Sequence, residues 1–224
     1  MRGCHDGTVE FEEELHRILP PAVPHRERLI QKSAQHLRLI VAANQYMNLT
    51  RITDPEEAAI KHVYDSVVPW THLSGAGRIL DAGTGAGFPG VPLAIVLPET
   101  RFTLSESTQK KARFLDSAVE TLELCNVHVT AERAEEKAAS QRPEIIIARA
   151  VAPMHRLLEL FGRALKQGSK LLLYKGPDVE AELAAAKAYR MNAEILARYE
   201  LPCGMGARTL LEVRNHARRA AANS

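Results

Sequence analysis

The sequence predicts an α/β protein with one doubly wound, mostly parallel sheet of seven strands and an N-terminal helical cap. Beyond residue 77, short apolar strands alternate with helices, a pattern typical of a parallel sheet covered by helices. Two strands in succession, residues 194–201 and 209–213, close the pattern and favour a last strand that returns antiparallel. We therefore expect a cap at 1–75, a core at 76–214 and a loose basic tail at 215–224, in one compact unit.

The expected cap consists of three helices. Residues 9–19 place their apolar side chains on one stripe, and the prolines that follow end this helix. Residues 26–47 repeat apolar side chains at helical spacing over a longer stretch. A third helix begins at Asp54-Pro55, a capping side chain followed by proline at the first helical position, and runs to about residue 73.

The core strands are short and apolar, and the helices between them are longer. Residues 144–148 contain three isoleucines in a row, which indicates a strand buried on both faces. The other strands before the closing pair are expected at 78–81, 101–106, 126–131 and 169–174, and the core helices at 91–97, 108–124, 153–166 and 179–189.

Composition excludes several classes of protein. Of the 224 residues, 46% are hydrophobic and 25% are charged, which is globular usage and excludes overall disorder. No apolar run approaches the ~20 residues of a membrane span, and acidic residues at 10 and 12–14 interrupt the N-terminal region where a secretory signal would be apolar. We expect a cytoplasmic protein without membrane partners, and a monomer.

Cysteine and histidine spacing gives no metal site. The three cysteines, Cys4, Cys125 and Cys203, are far apart and form no C-x-x-C pair, and no two histidines form an H-x-x-x-H pair. The net charge of +2 is too small to indicate a nucleic-acid binder by itself, although it allows local basic patches.

The strongest motif is the glycine-rich turn after the first strand, from Asp81 to Gly90, where an open α/β sheet binds its ligand. Gly85-x-Gly87-x-x-Gly90 matches a dinucleotide fingerprint, and Glu106 lies at a suitable distance for ribose hydroxyls. Asp81-x-Gly-x-Gly-x-Gly, with an acid at the end of the next strand, matches instead the pattern for S-adenosylmethionine (SAM). We favour SAM over NAD because no long segment remains for a second, substrate-binding domain; a plain structural turn is the third possibility.

A wider set of motifs resembles one family. In order along the chain they are Asn48-Leu-Thr50, Asp54-Pro55, Lys61-His62-x-x-Asp65-Ser66, Asp81-Ala-Gly-Thr-Gly-Ala-Gly-Phe-Pro-Gly90, Glu106-Ser107, Lys110-Lys-x-Arg113-Phe-Leu115, Arg133-x-Glu135-Glu136, Arg149-Ala150 and Lys175-Gly176. Together, over residues 45–176, they resemble the RsmG family, also called GidB, glucose-inhibited division protein B. Many members have Asp where this chain has Glu106, but a glutamate accepts the same ribose hydrogen bonds.

The resemblance implies a Rossmann-like class I SAM methyltransferase fold and an rRNA methyltransferase. Family members methylate N7 of one guanine in the 530-loop region of 16S rRNA, with SAM as methyl donor and S-adenosylhomocysteine (SAH) as product. The partner is then 16S rRNA or the small ribosomal subunit. A different class of function, a non-catalytic RNA-binding module on the same fold, remains open; the intact glycine-rich turn and Glu106 favour the enzyme.

The cofactor candidates follow from the ends of the strands and from the resemblance. They are Gly83, Phe88, Glu106, Ala134, Glu135 and Arg149, supported by Asp81, Gly85 and Gly87. Two of them have simpler interpretations: Glu106 as a solvated strand end, and Glu135 as an acid that suits a helix start. Arg149 ends the isoleucine strand, so a surface role explains it poorly.

The candidates for substrate and RNA contact lie on both sides of the turn. They are His62, Asp65, Lys110, Arg113, Arg133 and Lys175, with Lys111 and the arginines Arg214, Arg218 and Arg219 as further basic residues. His62, Asp65 and Ser66 share a helix face, which makes a poor hydrolase triad and favours orienting the cap or a purely structural role. We assign no catalytic base, because guanine N7 has a lone pair and no proton to remove.

Overall fold

The computed structural model describes residues 7–215, and its centre is a seven-stranded sheet in the order β3-β2-β1-β4-β5-β7-β6. Strands β1 to β5 are parallel, whereas β7 is antiparallel to both of its neighbours. This confirms the predicted fold class. The strands are β1 Arg78–Ala82, β2 Arg101–Ser105, β3 Val127–Thr130, β4 Ile145–Arg149, β5 Lys170–Lys175, β6 Met191–Glu200 and β7 Ala207–Asn215.

Nine α-helical segments in the described residues surround the sheet. They are α1 Gly7–Ile18, α2 Arg26–Asn44, α3 Pro55–Ala58, α4 Asp65–Val67, α5 Gly90–Val96, α6 Gln109–Thr121, α7 Ala134–Gln141, α8 Met154–Gln167 and α9 Glu180–Ala188. A π-helical turn, Ala59–Tyr64, joins α3 to α4, and 3₁₀ turns occupy Trp70–His72 and Pro202–Gly204. Within residues 7–215, none of these helices has the length and apolar character required to cross a bilayer.

The isoleucine strand β4 lies at the centre of the sheet, as its sequence predicts. It pairs with β1 on one side and β5 on the other, and Ile146 and Ile147 are fully buried on opposite faces. Because all five parallel strands end at the same edge, the residues that follow them are brought together there.

The cap and the sheet share one hydrophobic layer. Leu29 and Leu37 of α2 belong to the same buried cluster as Ile79 of β1 and Phe102 of β2. A second cluster on the other face of the sheet contains α8, represented by Phe161. The boundary at residue 75 therefore crosses a continuous core, and the division into cap and core remains a prediction.

Three elements differ from the sequence prediction. Helix α7 was not predicted, because Ala138 is its only buried residue and it has no apolar stripe. The helix expected from residue 54 to about 73 is broken into short segments. Asp54 caps its start as expected, by accepting a hydrogen bond from Glu57 N at 2.9 Å. The helix then becomes π-helical and ends before Pro69. Strand β7 extends to Asn215, which the prediction placed at the start of the tail; Arg218 and Arg219 lie outside the described residues.

Candidate cofactor and substrate cleft

The glycine-rich turn, residues 83–90, follows β1 and leads into α5. Gly87 has a φ of +102°, and a Cβ there would come within 2.9 Å of the side chains of His36 and Val91. Gly83 has a φ of +66° and lies 3.1 Å, measured from an ideal Cβ, from Val151 Cγ2. Both positions therefore require glycine, for conformation and for space.

Asp81 fixes the conformation of this turn through hydrogen bonds. Its Oδ2 accepts from Thr84 Oγ1 at 2.6 Å and from Gly90 N at 2.8 Å, so it joins the turn to the first residue of α5. Full burial raises the pKa of Asp81 to about 6, although the two hydrogen bonds and the charge of Arg149 act in the opposite direction. Within the described structure Oδ1 has no hydrogen-bond partner. Asp81 thus positions the turn.

Two cavities meet at Gly83. The larger cavity, about 550 Å³, is lined by the turn together with residues from the cap, β4 and β5. The smaller cavity, about 290 Å³, is lined by Ser105, Ala134, Glu135 and Val151, on the ends of β2 and β4 and the start of α7. Gly83 is among the residues that line both cavities.

Glu106 lies at the edge of this site with its carboxylate partly engaged. It is buried, and its Oε1 accepts from Thr108 N at 2.8 Å, at the start of α6. Its neighbours Ser105 and Ser107 line the smaller cavity. Only the second carboxylate oxygen of Glu106 is left for a ligand in this arrangement.

An aromatic stack forms one wall of the larger cavity. The His62 ring is parallel to the Phe88 ring, with centroids 4.5 Å apart, and His36 packs on the same Phe88 at 5.0 Å. Burial, with the nearby charges of Arg149, His36 and Lys61, lowers the pKa of His62 to about 3; burial lowers the pKa of His36 to about 4. Both imidazoles are therefore neutral at pH 7, and His62 Nε2 lies 3.1 Å from Thr50 Oγ1.

The buried Asp65 is the centre of a polar group, here called the Asp65 cluster, that also contains the half-buried side chains of Arg149, Tyr199 and Arg208. Asp65 Oδ2 lies 3.2 Å from Arg149 Nη1 and 3.4 Å from Arg208 Nε, and Oδ1 accepts from Tyr199 OH at 2.9 Å. One carboxylate therefore orients side chains from β4, β6 and β7. Arg149 Nη1 also donates to Lys61 O at 2.9 Å.

The Asp65 cluster includes two residues that the sequence did not single out, Tyr199 and Arg208. Neither belongs to a short motif, and no sequence signal indicates that β6 and β7 reach the cap. Arg208 lines the larger cavity together with Lys61, Arg149 and Lys175. Next to them, Ala150 has a φ of +55°, an uncommon conformation for a residue with a side chain.

Three predicted RNA contacts lie outside the larger cavity. Lys110 Nζ donates to Tyr46 O at 3.0 Å, Arg113 lines a separate shallow pocket beside β3, and Arg133 lies 3.7 Å from Glu135. Lys175, by contrast, lines the larger cavity and pairs with Glu182 at 3.2 Å. The structure therefore brings together His62, Asp65, Arg149 and Lys175 in the larger cavity. Arg133 lines the smaller cavity, whereas Lys110 and Arg113 line neither of the two.

Comparison with known proteins identifies the family. The family described as GidB, rRNA small subunit methyltransferase G, matches residues 29–210. A protein of Solibacter usitatus named ribosomal RNA small subunit methyltransferase G is 57% identical over 210 residues, which are 92% of this chain and 100% of that protein. A protein of the same name from Carboxydothermus hydrogenoformans is 37% identical and covers 81% of each chain. The chain belongs to the GidB family.

Solved structures similar to this GidB protein agree on the fold. An O-methyltransferase from Bacillus cereus in complex with SAH has a TM-score of 0.53 at 18% identity, covering 80% of this chain and 91% of that one. A SAM-dependent O-methyltransferase from Thermotoga maritima has a TM-score of 0.52 at 17% identity, covering 79% and 71%. At this level of identity they support the fold alone.

Family membership confirms the resemblance seen in the motifs. The GidB protein is a methyltransferase, with SAM as the cofactor indicated by its glycine-rich turn, and neither the dinucleotide interpretation nor the non-catalytic module is supported.

We expect acid to destabilise the fold through His36. The unfolded pKa is about 6.5 and the folded pKa about 4, so the neutral form is favoured by folding. Neutral His36 therefore contributes about 3 kcal/mol at most to the free energy of unfolding. This contribution is complete above pH 6.5, and it is lost progressively as the pH falls from 6.5 through 4. Urea titrations between pH 7 and 4.5 measure it.

The control for this acid sensitivity is a histidine on the surface. His36→Gln should reduce the pH dependence of the free energy of unfolding and leave the part that is due to His62, whose pKa burial lowers to about 3. His72→Gln, at an exposed position, should leave it unchanged. Equal pH slopes for His36→Gln and the unchanged protein would contradict the assignment.

Proposed function

We propose that the protein transfers a methyl group from SAM to N7 of one guanine in the 530-loop region of 16S rRNA. The observation that supports this most is the meeting of two cavities at Gly83, one of a size for the cofactor's adenosine and one open beneath a basic mouth. The proposed substrate is 16S rRNA or the small ribosomal subunit, as in the names of the relatives. We place the reaction in the cytoplasm.

The cofactor residues divide between the two cavities. We propose that Ala134 and Glu135 border the adenine, with Val151, which is 41% exposed, offering an apolar surface to its ring. Glu106 would accept from ribose hydroxyls with its free oxygen. The turn at Gly83 and Gly85 would border the amino-acid part, at the larger cavity that Phe88 and Arg149 also line.

The proposed reaction requires the protein mainly to orient the substrate base and the cofactor. Bound SAM supplies a methyl carbon activated by its sulfonium. Guanine N7 offers a lone pair and carries no proton at neutral pH, so the chain has to hold N7 in line with the methyl group rather than remove a proton. Methylation gives the base a positive charge, and the Asp65 carboxylate offsets the two arginines that otherwise make this cavity unfavourable for a cation.

The mouth of the larger cavity suits an RNA backbone. Lys61, Arg149, Lys175 and Arg208 line it, and cations of this kind contact phosphates. N7 of a regular A-form helix lies in a deep, narrow groove that side chains do not enter. We therefore propose that the target guanine is in an irregular loop or is extruded into the cavity.

The experiment that tests this function is a map of modified guanines in 16S rRNA from cells with and without the gene. We expect one N7-methylguanine to disappear with the gene and to return when the intact gene is supplied. A Gly83→Val gene should not restore it. An unchanged map would overturn the proposed substrate, and methylation of guanines throughout a plain duplex would overturn the loop requirement.

We expect kcat to be nearly independent of pH between about pH 6.5 and 8.5, because no essential acid–base pair is needed. His62, with a pKa of about 3, stays neutral throughout, and Asp81, with a pKa of about 6, is mostly ionised. Single-turnover rates at saturating RNA and SAM measure this. A steep acidic limb near pH 6–7 that disappears in His62→Ala would show that His62 acts as a base.

A further inference from the structure

Tyr46 is exposed to an unusual degree for an aromatic residue. Four large hydrophobic side chains are exposed in the described part of the chain, and Tyr46, at 65%, is the most exposed of them. It follows the end of α2 and precedes the segment that enters the larger cavity at Leu49 and Thr50. Three residues of extended chain span about 11 Å, so Tyr46 stands close to the mouth of that cavity.

The loop that presents Tyr46 is held in place by side chains at both ends. Asn44 Nδ2 donates to Thr50 O at 2.7 Å, and Asn44 Oδ1 accepts from Leu49 N at 2.9 Å, which closes the loop. From α6, Lys110 donates to Tyr46 O at 3.0 Å, and its Nζ lies 5.7 Å from the centre of the Tyr46 ring. The ring is therefore displayed on a fixed backbone, at a low entropic cost for a ligand that stacks on it.

The surroundings of Tyr46 are basic. Lys110 of α6 lies beside the Tyr46 ring, and Arg51 follows on the same segment. Neither of them, nor Lys111 and Arg113 farther along α6, forms an ion pair with an acidic side chain among residues 7–215. An exposed aromatic ring among unneutralised cations matches the needs of single-stranded RNA, whose bases stack on aromatic rings while its phosphates contact cations.

We propose that Tyr46 is a stacking platform for an unpaired rRNA base that neighbours the target guanine. The inference rests on the proposed function, since the base belongs to the same RNA loop. It assigns Lys110 a positioning role, through the Tyr46 carbonyl, in place of the direct phosphate contact expected from the sequence. An aromatic platform beside the cavity would hold the loop while the target base enters.

The test is binding of the intact protein to small subunits prepared from cells that lack the gene. Tyr46→Ala should raise the Kd by about tenfold or more, because stacking on one base contributes that much. Tyr46→Trp should bind within about threefold of the original protein, and its tryptophan emission should be quenched on binding. The Kd for SAM should stay unchanged in both variants, because Tyr46 does not line either cavity.

The matched control is Tyr189→Ala, which removes another exposed tyrosine, one that contacts Glu159 away from the cleft. It should not alter subunit binding. Equal affinity of Tyr46→Ala and the original protein would overturn the platform. So would a loss confined to intact subunits and absent with protein-free 16S rRNA, because it would show that Tyr46 contacts a ribosomal protein.

The two proposals fail in different ways. If the original protein methylates the guanine and Tyr46→Ala binds equally well, the platform alone is wrong. If binding depends on Tyr46 but no guanine is methylated, the proposed reaction is wrong and the RNA contact stands.

Discussion

Gly83→Val is expected to reduce SAM affinity by at least about a hundredfold. The valine would sit at a φ of +66°, which a β-branched residue rarely adopts, and its Cβ would be 3.1 Å from Val151 Cγ2. Its methyl groups would also fill the point where the two cavities meet. Calorimetry with SAM measures the loss.

The control for Gly83 separates backbone strain from obstruction of the site. Gly75 has a φ of +84°, and an ideal Cβ there has no atom within 4 Å, so Gly75→Val carries the strain without the obstruction. It should lower Tm somewhat and bind SAM with unchanged affinity. If Gly83→Val binds SAM as tightly as Gly75→Val does, the cofactor does not cross the turn at Gly83.

Asp65→Asn is expected to cost about 3–5 kcal/mol of stability, or about 6–20 °C in Tm, because it leaves Arg149 and Arg208 beside a neutral amide in a buried site. Below its melting temperature, the variant should also lose at least about tenfold in kcat/KM for the subunit, since both guanidinium groups lose the partner that orients them. Thermal unfolding and single-turnover methylation measure the two effects.

Glu212→Gln is the matched control for Asp65→Asn. Glu212 is a buried acid on β7 that also forms ion pairs with two cations, Lys170 at 3.2 Å and Arg214 at 2.6 Å. It lies toward the end of the sheet that is opposite the cleft. Its variant should lose stability and keep its activity while folded. If both variants lose activity in proportion to stability, the Asp65 cluster holds the fold and has no further role.

The sequence predicted the parts of the fold that local signals determine. Within a few residues, three short patterns each determine the local structure. The isoleucines of β4 favour a buried strand, Asp54 favours a helix start, and the glycine-rich segment favours a tight turn. Helix α7 was missed because its apolar contact is limited to Ala138. The π-helical turn at Ala59–Tyr64 was also missed, because nothing in its residues distinguishes it from an α-helix.

The candidate site was predicted only where it follows a strand that bears a motif. Gly83, Phe88 and Arg149 lie at the cleft because parallel strands end at one edge, which sequence order alone indicates. Arg208 and Tyr199 reach Asp65 from 143 and 134 residues away, through the antiparallel pair β6–β7. The register of that pair and its closeness to the cap depend on packing that no short pattern records.

These long separations also bear on synthesis of the chain on a ribosome. The partners of Asp65 on β6 and β7 are translated 134 and 143 residues later, so until then a nascent chain has the glycine-rich turn and the cap without these side chains of the larger cavity. Domains generally fold as units while synthesis proceeds from the N-terminus. An unfinished chain would then lack the oriented arginines, so the cavity that we propose for rRNA is completed only once β7 has been synthesised.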